Sequence, residues 1–298
     1  ASMLTVGVVR AVNFPSNEFN LTGCGLLMDN GTNVPVIEAL NSADYEGLRL
    51  PATVTLTSEL VVSNQGANVW TVGADKWHGS STIRKWGGGA LFAGGSNANY
   101  HGELIVHQGT LATRKLGGVA LFDNAALRFK SGAQFQLCDS MTVCADVVAE
   151  DGATVYAAAY DNDSNTFAGE VTITGNVTWS TIWSRPIGTW IRGGFGGAGI
   201  VTFAHSNGVL TNWFVGSISP AGSLMLRRTT AMIYLGVAGD PLELRVGNGD
   251  VLSISNLPAA VDLSTIDLAV LDAPPAGGTN WFLSATDGIT NTFNAVDF

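Results

Sequence analysis

The sequence predicts an all-β fold, a parallel β-solenoid (β-helix) in which short strands stack coil upon coil. Three observations indicate this fold: short alternating strands, frequent Gly, Asn, Asp and Ser between them, and few charged residues. Only 13% of the 298 residues are charged, whereas about 25% is typical of soluble domains. Long amphipathic helices need charged outer faces, so this composition argues against many of them.

The strand pattern is clearest between residues 85 and 111. Strands are predicted at Ala90–Ala93 and Glu103–His107, with a Gly/Ser/Asn corner between them, and Gly109-Thr110-Leu111 begins a third strand. Alternating apolar and polar residues predict further strands at Thr53–Thr57, Leu127–Phe129, Glu170–Thr174 and Leu242–Val246. Only Pro35–Arg49, through its Val-Ile-Glu-Ala-Leu stretch, predicts a short helix.

Internal repetition supports stacked coils. Gly89–Asn97 has a degenerate copy at Gly199–Asn207, and the spacing between such segments is irregular enough for loops to protrude between coils. One coil cannot bury its apolar face alone, so coils stack into one continuous core, and the exposed strand edges at both ends must be capped. We therefore expect one elongated body: an N-terminal cap or first coils at residues 1–50, a solenoid body at 51–257, and a C-terminal cap or tail at 258–298.

Residues 85–112 resemble the autotransporter-associated β-strand repeat. The pattern of that repeat is a Gly-rich strand, a Gly-Ser-Asn corner with an aromatic residue, a second strand, and a Gly-Thr-Leu step. The matching residues are Gly88, Gly89, Leu91, Gly94, Ser96, Asn97, Tyr100, Gly102, Leu104, Val106, Gly109, Thr110 and Leu111. The resemblance implies a right-handed parallel β-helix from an exported bacterial surface passenger, usually secreted through an outer-membrane barrel. Many such passengers are adhesins, a minority are proteases or esterases, and the repeat pattern itself carries no catalytic residues. Three cysteines are more than such passengers usually have, and the residues after 257 are too few for the translocator barrel.

The charge balance bears on the partner. The formal net charge is −10, with only 14 Lys and Arg residues, which argues against nucleic acid because phosphates are bound through basic side chains. No apolar run is long enough for a membrane helix, so we expect membrane contact only through parts outside this chain. No secretory signal stands at the start. We interpret the chain as a fragment, beginning with a cloning remnant, whose export signal, if any, was removed.

The three cysteines leave two interpretations open. Cys138 and Cys144 can close a small disulfide loop, or Cys24, Cys138 and Cys144 are buried thiols. No Cys-x-x-Cys pair is present, and we predict neither a metal site nor a cofactor.

Motifs associated with catalysis or ligand binding each have a structural alternative. Gly194–Gly199 satisfies the dinucleotide pattern G-x-G-x-x-G, but a strand rather than a helix is predicted after it, which favours a Gly-rich corner. Asp161–Asn165 offers oxygens as a calcium loop does, yet Thr stands where that loop needs Gly and Glu, which favours a solvated loop.

Gly94–Ala98 fails the nucleophile-elbow pattern at its last position. A polysaccharide-cleaving enzyme would need converging carboxylates, for which the candidates are Asp139, Asp146, Glu150 and Asp161.

Aromatic residues offer a binding alternative. Exposed Trp can stack on sugar rings or anchor a protein partner, whereas buried Trp stacks inside the core. The candidates for ligand contact are Trp179, Trp183, Trp190 and Trp213, with Phe214, and the same two interpretations apply to Trp70, Trp77 and Trp86.

The sequence and the resemblance together predict a non-catalytic adhesion, binding or scaffold segment of an exported bacterial passenger protein. Its expected location is extracellular or at the cell surface, and its expected partner is a glycan or protein of a host or neighbouring cell. Two alternatives remain: a carbohydrate-active β-helix enzyme, either a polysaccharide lyase or a glycoside hydrolase, and a spacer that holds another domain away from the membrane.

Overall fold

The protein is all-β. The computed structural model describes residues 3–14, 19–20, 25–42, 47–50, 53–66, 68–71, 76–93, 96–113, 120–138, 140–158, 164–181, 188–203, 212–215, 217–218, 223–228, 232–235, 241–246, 251–255, 260–271, 283–286 and 288–297. Over these ranges the chain forms 37 strands and one turn of 3-10 helix at Leu263–Thr265, with no α-helix. Every pairing between these strands is parallel. The predicted parallel β-solenoid is confirmed, while its right-handed sense remains a prediction.

The chain divides into two compact units, Ala1–Val147 and Val148–Phe298. The strands that begin in the first unit are β1 Met3–Val6, β2 Val8–Phe14, β3 Phe19–Asn20, β4 Gly25–Met28, β5 Val36–Ser42, β6 Gly47–Arg49, β7 Val54–Leu56, β8 Leu60–Gln65, β9 Asn68–Thr71, β10 Trp77–His78, β11 Ile83–Trp86, β12 Ala90–Ala93, β13 Glu103–Val106, β14 Thr110–Thr113, β15 Ala120–Leu121, β16 Ala126–Phe129, β17 Gln134–Leu137, β18 Thr142–Val143 and β19 Asp146–Ala149. The strands of the second unit are β20 Thr154–Ala158, β21 Ser164–Phe167, β22 Val171–Ile173, β23 Asn176–Thr181, β24 Gly188–Ile191, β25 Phe195–Gly196, β26 Ile200–Phe203, β27 Asn212–Val215, β28 Ser217–Ile218, β29 Ser223–Arg228, β30 Met232–Leu235, β31 Leu242–Val246, β32 Val251–Ser255, β33 Val261–Asp262, β34 Ile266–Val270, β35 Leu283–Ala285, β36 Ile289–Thr290 and β37 Ala295–Asp297.

In the first unit each coil contributes one strand to each of several sheets. The orders are β1-β4-β7-β10, β2-β5-β8-β11-β13-β16 and β3-β6-β9-β12-β14-β17, with β15 paired to β18. Successive coils stay in register: Val36 pairs with Val61, Val61 with Arg84, and Arg84 with Ile105. One coil therefore takes about two dozen residues, and equivalent positions of neighbouring coils lie roughly 4.8 Å apart.

The second unit follows the same principle. Its longest row of strands is β20-β23-β26-β29-β32-β35, beside β21-β24-β27-β30 and β28-β31-β34-β37. Two shorter pairs, β22-β25 and β33-β36, complete it. Parallel pairing in both units satisfies the backbone of the inner strands of each sheet from the coils on either side.

Alternation along each short strand builds the core. Val69, Leu91, Leu111 and Phe135 are paired across four successive coils and are all fully buried, while Ala90 and Phe92 on β12 and Gln134 and Gln136 on β17 are partly exposed. Each coil therefore adds one apolar layer to a row that runs from coil to coil, which is how solenoids bury surface that a single coil cannot. The strands predicted within 53–57, 127–129, 170–174 and 242–246 are confirmed.

The helix predicted over Pro35–Arg49 is wrong. The chain there forms β5 and β6, and Val36 to Leu40 pair in parallel with both β2 and β8. Ile37 and Ala39 are buried while Glu38 between them is half-buried, which is a strand period of two. Helix-forming residues are overridden here by the backbone partners that two neighbouring coils offer.

The two ends of the chain also pair into the sheets. Strands β1 to β6 lie among the described residues up to Leu50, and β33 to β37 lie among those after 257. The division at Val147 and Val148 was not among the predicted boundaries at residues 50 and 257.

The corner between β12 and β13 is built on Asn97. This residue is fully buried and has φ of 46°, in the left-handed region that Asn tolerates better than most residues. Its side-chain oxygen accepts hydrogen bonds from the backbone N–H groups of Lys76 (3.0 Å) and Trp77 (3.1 Å) in the preceding coil. The Asn97 side chain therefore ties one coil to the next.

Candidate ligand-binding face

The outer side of the β2-β5-β8-β11-β13 strands carries one row of residues in register. Arg10 pairs with Glu38, Glu38 with Ser63, and Ser63 with Trp86, and His107 lies next to Trp86 on the following coil. We call these five residues the Trp86 row. Their strand neighbours Ile37, Ala39, Val62 and Lys85 are fully buried, so the row points away from the core.

Trp86 is the exposed aromatic residue of this face. Its side chain is 40% exposed, and its ring stacks on the imidazole of His107 with centroids 4.0 Å apart and an interplanar angle of 4°. Because this separation is close to the spacing of neighbouring coils, the ring normals run along the coil-to-coil direction. One face of the indole is covered by His107, and the opposite face is turned toward the coil of Ser63.

Ion pairs fix the polar surroundings of Trp86. Arg84, on the same strand and the same side, lies 3.0 Å from a carboxylate oxygen of Glu59 and 3.4 Å from Nε2 of His107. These contacts hold the imidazole against the indole from its edge. At the other end of the Trp86 row, Arg10 donates to Oε2 of Glu38. Ion pairs as exposed as these contribute little to the stability of the fold. Their main effect is to orient the side chains around Trp86.

Lys85 lies directly beneath this face, on the core side of β11. It is fully buried, and its Nζ donates to the carbonyl oxygens of Gln108 (2.7 Å), Trp86 (3.4 Å) and Gly87. No carboxylate of the described residues lies within ion-pair distance of it. The three carbonyls suit an ammonium group, but burial opposes the charge and lowers the pKa of Lys85 to about 7.

Gly109 makes room for this amine. Its φ is +69°, and a Cβ atom at this position would lie 2.7 Å from Nζ of Lys85 and overlap the Gly87 carbonyl. The glycine of the Gly-Thr-Leu step is thus required by backbone geometry and by the close approach of the lysine. Lys85 and Gly109 together support the corner that carries Trp86 and His107.

Of the four predicted contact aromatics, the structure describes the side chains of Trp179 and Trp190. Trp179 is fully buried and packs edge-to-face on Phe167 and Phe195, at centroid distances of 4.9 and 5.9 Å. Trp190 is half-buried, with the guanidinium of Arg192 4.5 Å from its ring centre. Trp183 lies outside the described residues, and Trp213 lies on β27 with its side chain outside them.

The other tryptophans divide between the two interpretations. Trp77 is fully buried in the core, and Trp86 is exposed. Trp70 lies on β9, and its side chain is outside the described residues.

The G-x-G-x-x-G segment is a corner. Strand β26 rather than a helix follows it, as predicted. Gly197 has φ of +103°, and a Cβ atom there would overlap the Ile173 carbonyl of the neighbouring coil. Glycine is present because two backbones approach closely, which accounts for the motif without a nucleotide.

Of the four candidate carboxylates, the structure describes Asp146 and Glu150. Asp146 is exposed at the start of β19, and Glu150 is half-buried directly after its end. Asp139 and Asp161 lie outside the described residues, and so do the first three residues of the Asp161–Asn165 segment, which was predicted to be a solvated loop. Within the described ranges no three His, Cys, Asp or Glu side chains form a group suited to a metal ion.

Cys138 and Cys144 are both thiols, not a disulfide. Cys138 is buried, as one of the two interpretations had it, whereas Cys144 is only half-buried. Burial, and then the neighbouring Asp123 carboxylate, raise the pKa of the Cys144 thiol, so the thiolate needed for nucleophilic chemistry is disfavoured there. Cys24 is outside the described residues.

Sequence reasoning named Trp86 but did not separate it from Trp77, and it did not single out Glu38, Ser63 or Lys85. The signal that distinguishes Trp86 from a core residue is its alternation with Ile83 and Lys85 on one strand. The coils between Glu38, Ser63 and Trp86 differ in length, so the sequence alone does not show that these residues lie side by side. The strand register shows it.

Comparison of the chain with protein-family models, with curated proteins and with solved structures gave no match. Among the described residues, no helix has the length and apolar character that crossing a membrane requires. The class of the protein is therefore that of a parallel β-solenoid, defined by its strand pairing.

Proposed function

We propose that this chain is a non-catalytic binding segment of an exported bacterial surface protein, related to autotransporter passengers. The observation that carries the proposal is the exposed Trp86, stacked on His107 and framed by ion pairs on the outer side of the stacked coils. An aromatic ring held rigid by its neighbours loses little conformational freedom on binding, which makes it a good anchor for a partner.

The repeat resemblance supports the same role. The segment that matches the pattern contains β12, β13 and β14, with a buried Asn at the corner and Gly before the last strand. A stack of such coils keeps its outward residues at regular spacing, and this suits contact with extended partners such as glycans or surface proteins.

Purified protein screened against arrays of glycans and of host surface proteins tests the proposal. We expect reproducible binding to at least one class of partner and no release of products from polysaccharides or proteins. A cleavage activity that disappears on mutation of a single carboxylate would reject the non-catalytic role and favour the carbohydrate-active alternative. Failure to bind any arrayed partner would leave a spacer function as the better account.

A further inference from the structure

The Trp86 row contains a slot one coil wide. Trp86 and Glu38 stand two coil spacings apart, roughly 10 Å, and the residue between them in register is Ser63, whose side chain is short. The uncovered face of the Trp86 indole forms one wall of this slot, since His107 covers the other face. Glu38 forms the opposite wall.

The two walls differ in chemistry. The indole offers a flat apolar surface, which stacks favourably on the C–H face of a sugar ring. Glu38 is held by Arg10 through Oε2, while its Oε1 has no hydrogen bond to any described residue. A carboxylate oxygen in this position accepts hydrogen bonds from hydroxyl groups, and such charge-assisted bonds are stronger than neutral ones. The Ser63 hydroxyl forms the floor.

We propose that the slot over Ser63 binds a single neutral pyranose ring, stacked on Trp86 and hydrogen-bonded through its hydroxyls to Glu38. The inference rests on the proposed binding function and names its ligand class. Charge favours a neutral sugar over an acidic one. The Glu38 oxygen is an acceptor that suits hydroxyl groups and not a second carboxylate, and the net charge of −10 disfavours the approach of a uronic or sialic acid.

Ligand-observed NMR titration with lactose and chitotriose, two neutral sugars, tests the slot. We expect saturation transfer from the wild-type protein to ring C–H protons of at least one of them. Trp86→Ala should weaken that binding by about tenfold or more, as removal of a central aromatic anchor does. Sialyllactose, the acidic counterpart of lactose, should bind more weakly than lactose.

Two further variants separate the slot from general damage. Ser63→Tyr fills the slot and leaves Trp86 in place, so it should abolish sugar binding with unchanged thermal unfolding. Trp190→Ala removes another incompletely buried tryptophan, one whose ring already contacts Arg192, and should bind as the wild type does.

The slot proposal is overturned if neither neutral sugar binds the wild type, if binding survives both Trp86→Ala and Ser63→Tyr, or if sialyllactose binds more tightly than lactose. These results are distinct from failure of the binding function. Partners that remain bound to Trp86→Ala on the arrays would preserve the function and remove the slot, whereas empty arrays together with no sugar binding would remove both.

Discussion

Replacing Trp179 by Ala should lower the free energy of unfolding by about 3–5 kcal/mol, the range for truncating a large buried aromatic residue. Trp179 is fully buried, and its ring packs edge-to-face on Phe167 and on Phe195. Trp179 pairs through its backbone with Val155 on β20 and with Phe203 on β26. Because this pairing fixes the strands on both sides, the core cannot collapse locally to fill the cavity that the alanine leaves. Chemical denaturation monitored by circular dichroism measures the effect.

Trp179→Phe is the matched control. The indole Nε1 is buried with no acceptor among the described residues, and such an unsatisfied donor costs free energy. Phenylalanine keeps the packing against Phe167 and Phe195 and removes this donor, so we expect a loss of less than about 1.5 kcal/mol. If Trp179→Ala is no less stable than Trp179→Phe, the residue is not in the core, and its earlier candidacy as a ligand contact is revived.

Stability should rise with pH above neutrality because of Lys85. Its ordinary pKa is 10.5, and burial lowers the pKa to about 7 in the folded protein. Below about pH 7 both states carry the proton, and between about 7 and 10 the unfolded state binds more protons than the folded one. The free energy of unfolding therefore increases with pH in this window, by roughly 2 kcal/mol between pH 7 and 9 if Lys85 acts alone.

Lys85→Met isolates this contribution, since methionine cannot titrate and fills a similar volume. The difference in unfolding free energy between wild type and Lys85→Met should grow from pH 7 to 9. Taking the difference removes the opposing contributions of Tyr100 and Cys144, whose pKa values are raised by burial. At pH 9 the variant should be the less stable protein, because three carbonyl groups lose their donor.

Lys130→Met controls for the loss of any lysine, because Lys130 is not fully buried. We expect it to keep the pH dependence of the wild type. Parallel curves for wild type and Lys85→Met over pH 7 to 9 would show that the Lys85 amine is not held in the core in the way the geometry requires.

The strands were predictable where local chemistry and coil geometry agree. At β12, β13 and β14, Gly and Asn mark the corners and apolar residues alternate between them, so the strand positions follow from the sequence. At Val36–Ser42 the two disagree. Glu, Ala and Leu favour a helix locally, but each residue from Val36 to Leu40 has a parallel partner on both neighbouring strands, and these partners are separated from it by whole coils.

The candidate site was less accessible to prediction, for a physical reason. Whether a tryptophan faces the core or the solvent depends on the parity of its position in a strand only a few residues long. Trp179 and Trp86 both lie on short strands, yet Trp179 is fully buried and Trp86 is exposed. The burial of Lys85 follows from the same parity, because Ile83 sets the inward side of β11, and a charged residue in that position contradicts the usual preference of lysine for the surface.

Everything proposed for the Trp86 row depends on coils that stack in parallel and in register. Disulfide cross-linking in the first unit tests this directly. Thr110 and Gln134 are paired on β14 and β17, with Thr110 Oγ1 3.2 Å from Gln134 Oε1. Paired positions in adjacent strands meet the Cα separation that a disulfide allows, whereas positions two residues out of register exceed about 7 Å.

The measurement uses two double variants, Thr110→Cys with Gln134→Cys and Thr110→Cys with Gln136→Cys, in a background in which Cys24, Cys138 and Cys144 are replaced by Ser or Ala. Mild oxidation followed by peptide mapping should show a rapid disulfide in the first variant and little in the second. Preferential cross-linking of positions 110 and 136, or no cross-link in either, would contradict the register from which the fold and the sugar slot were derived.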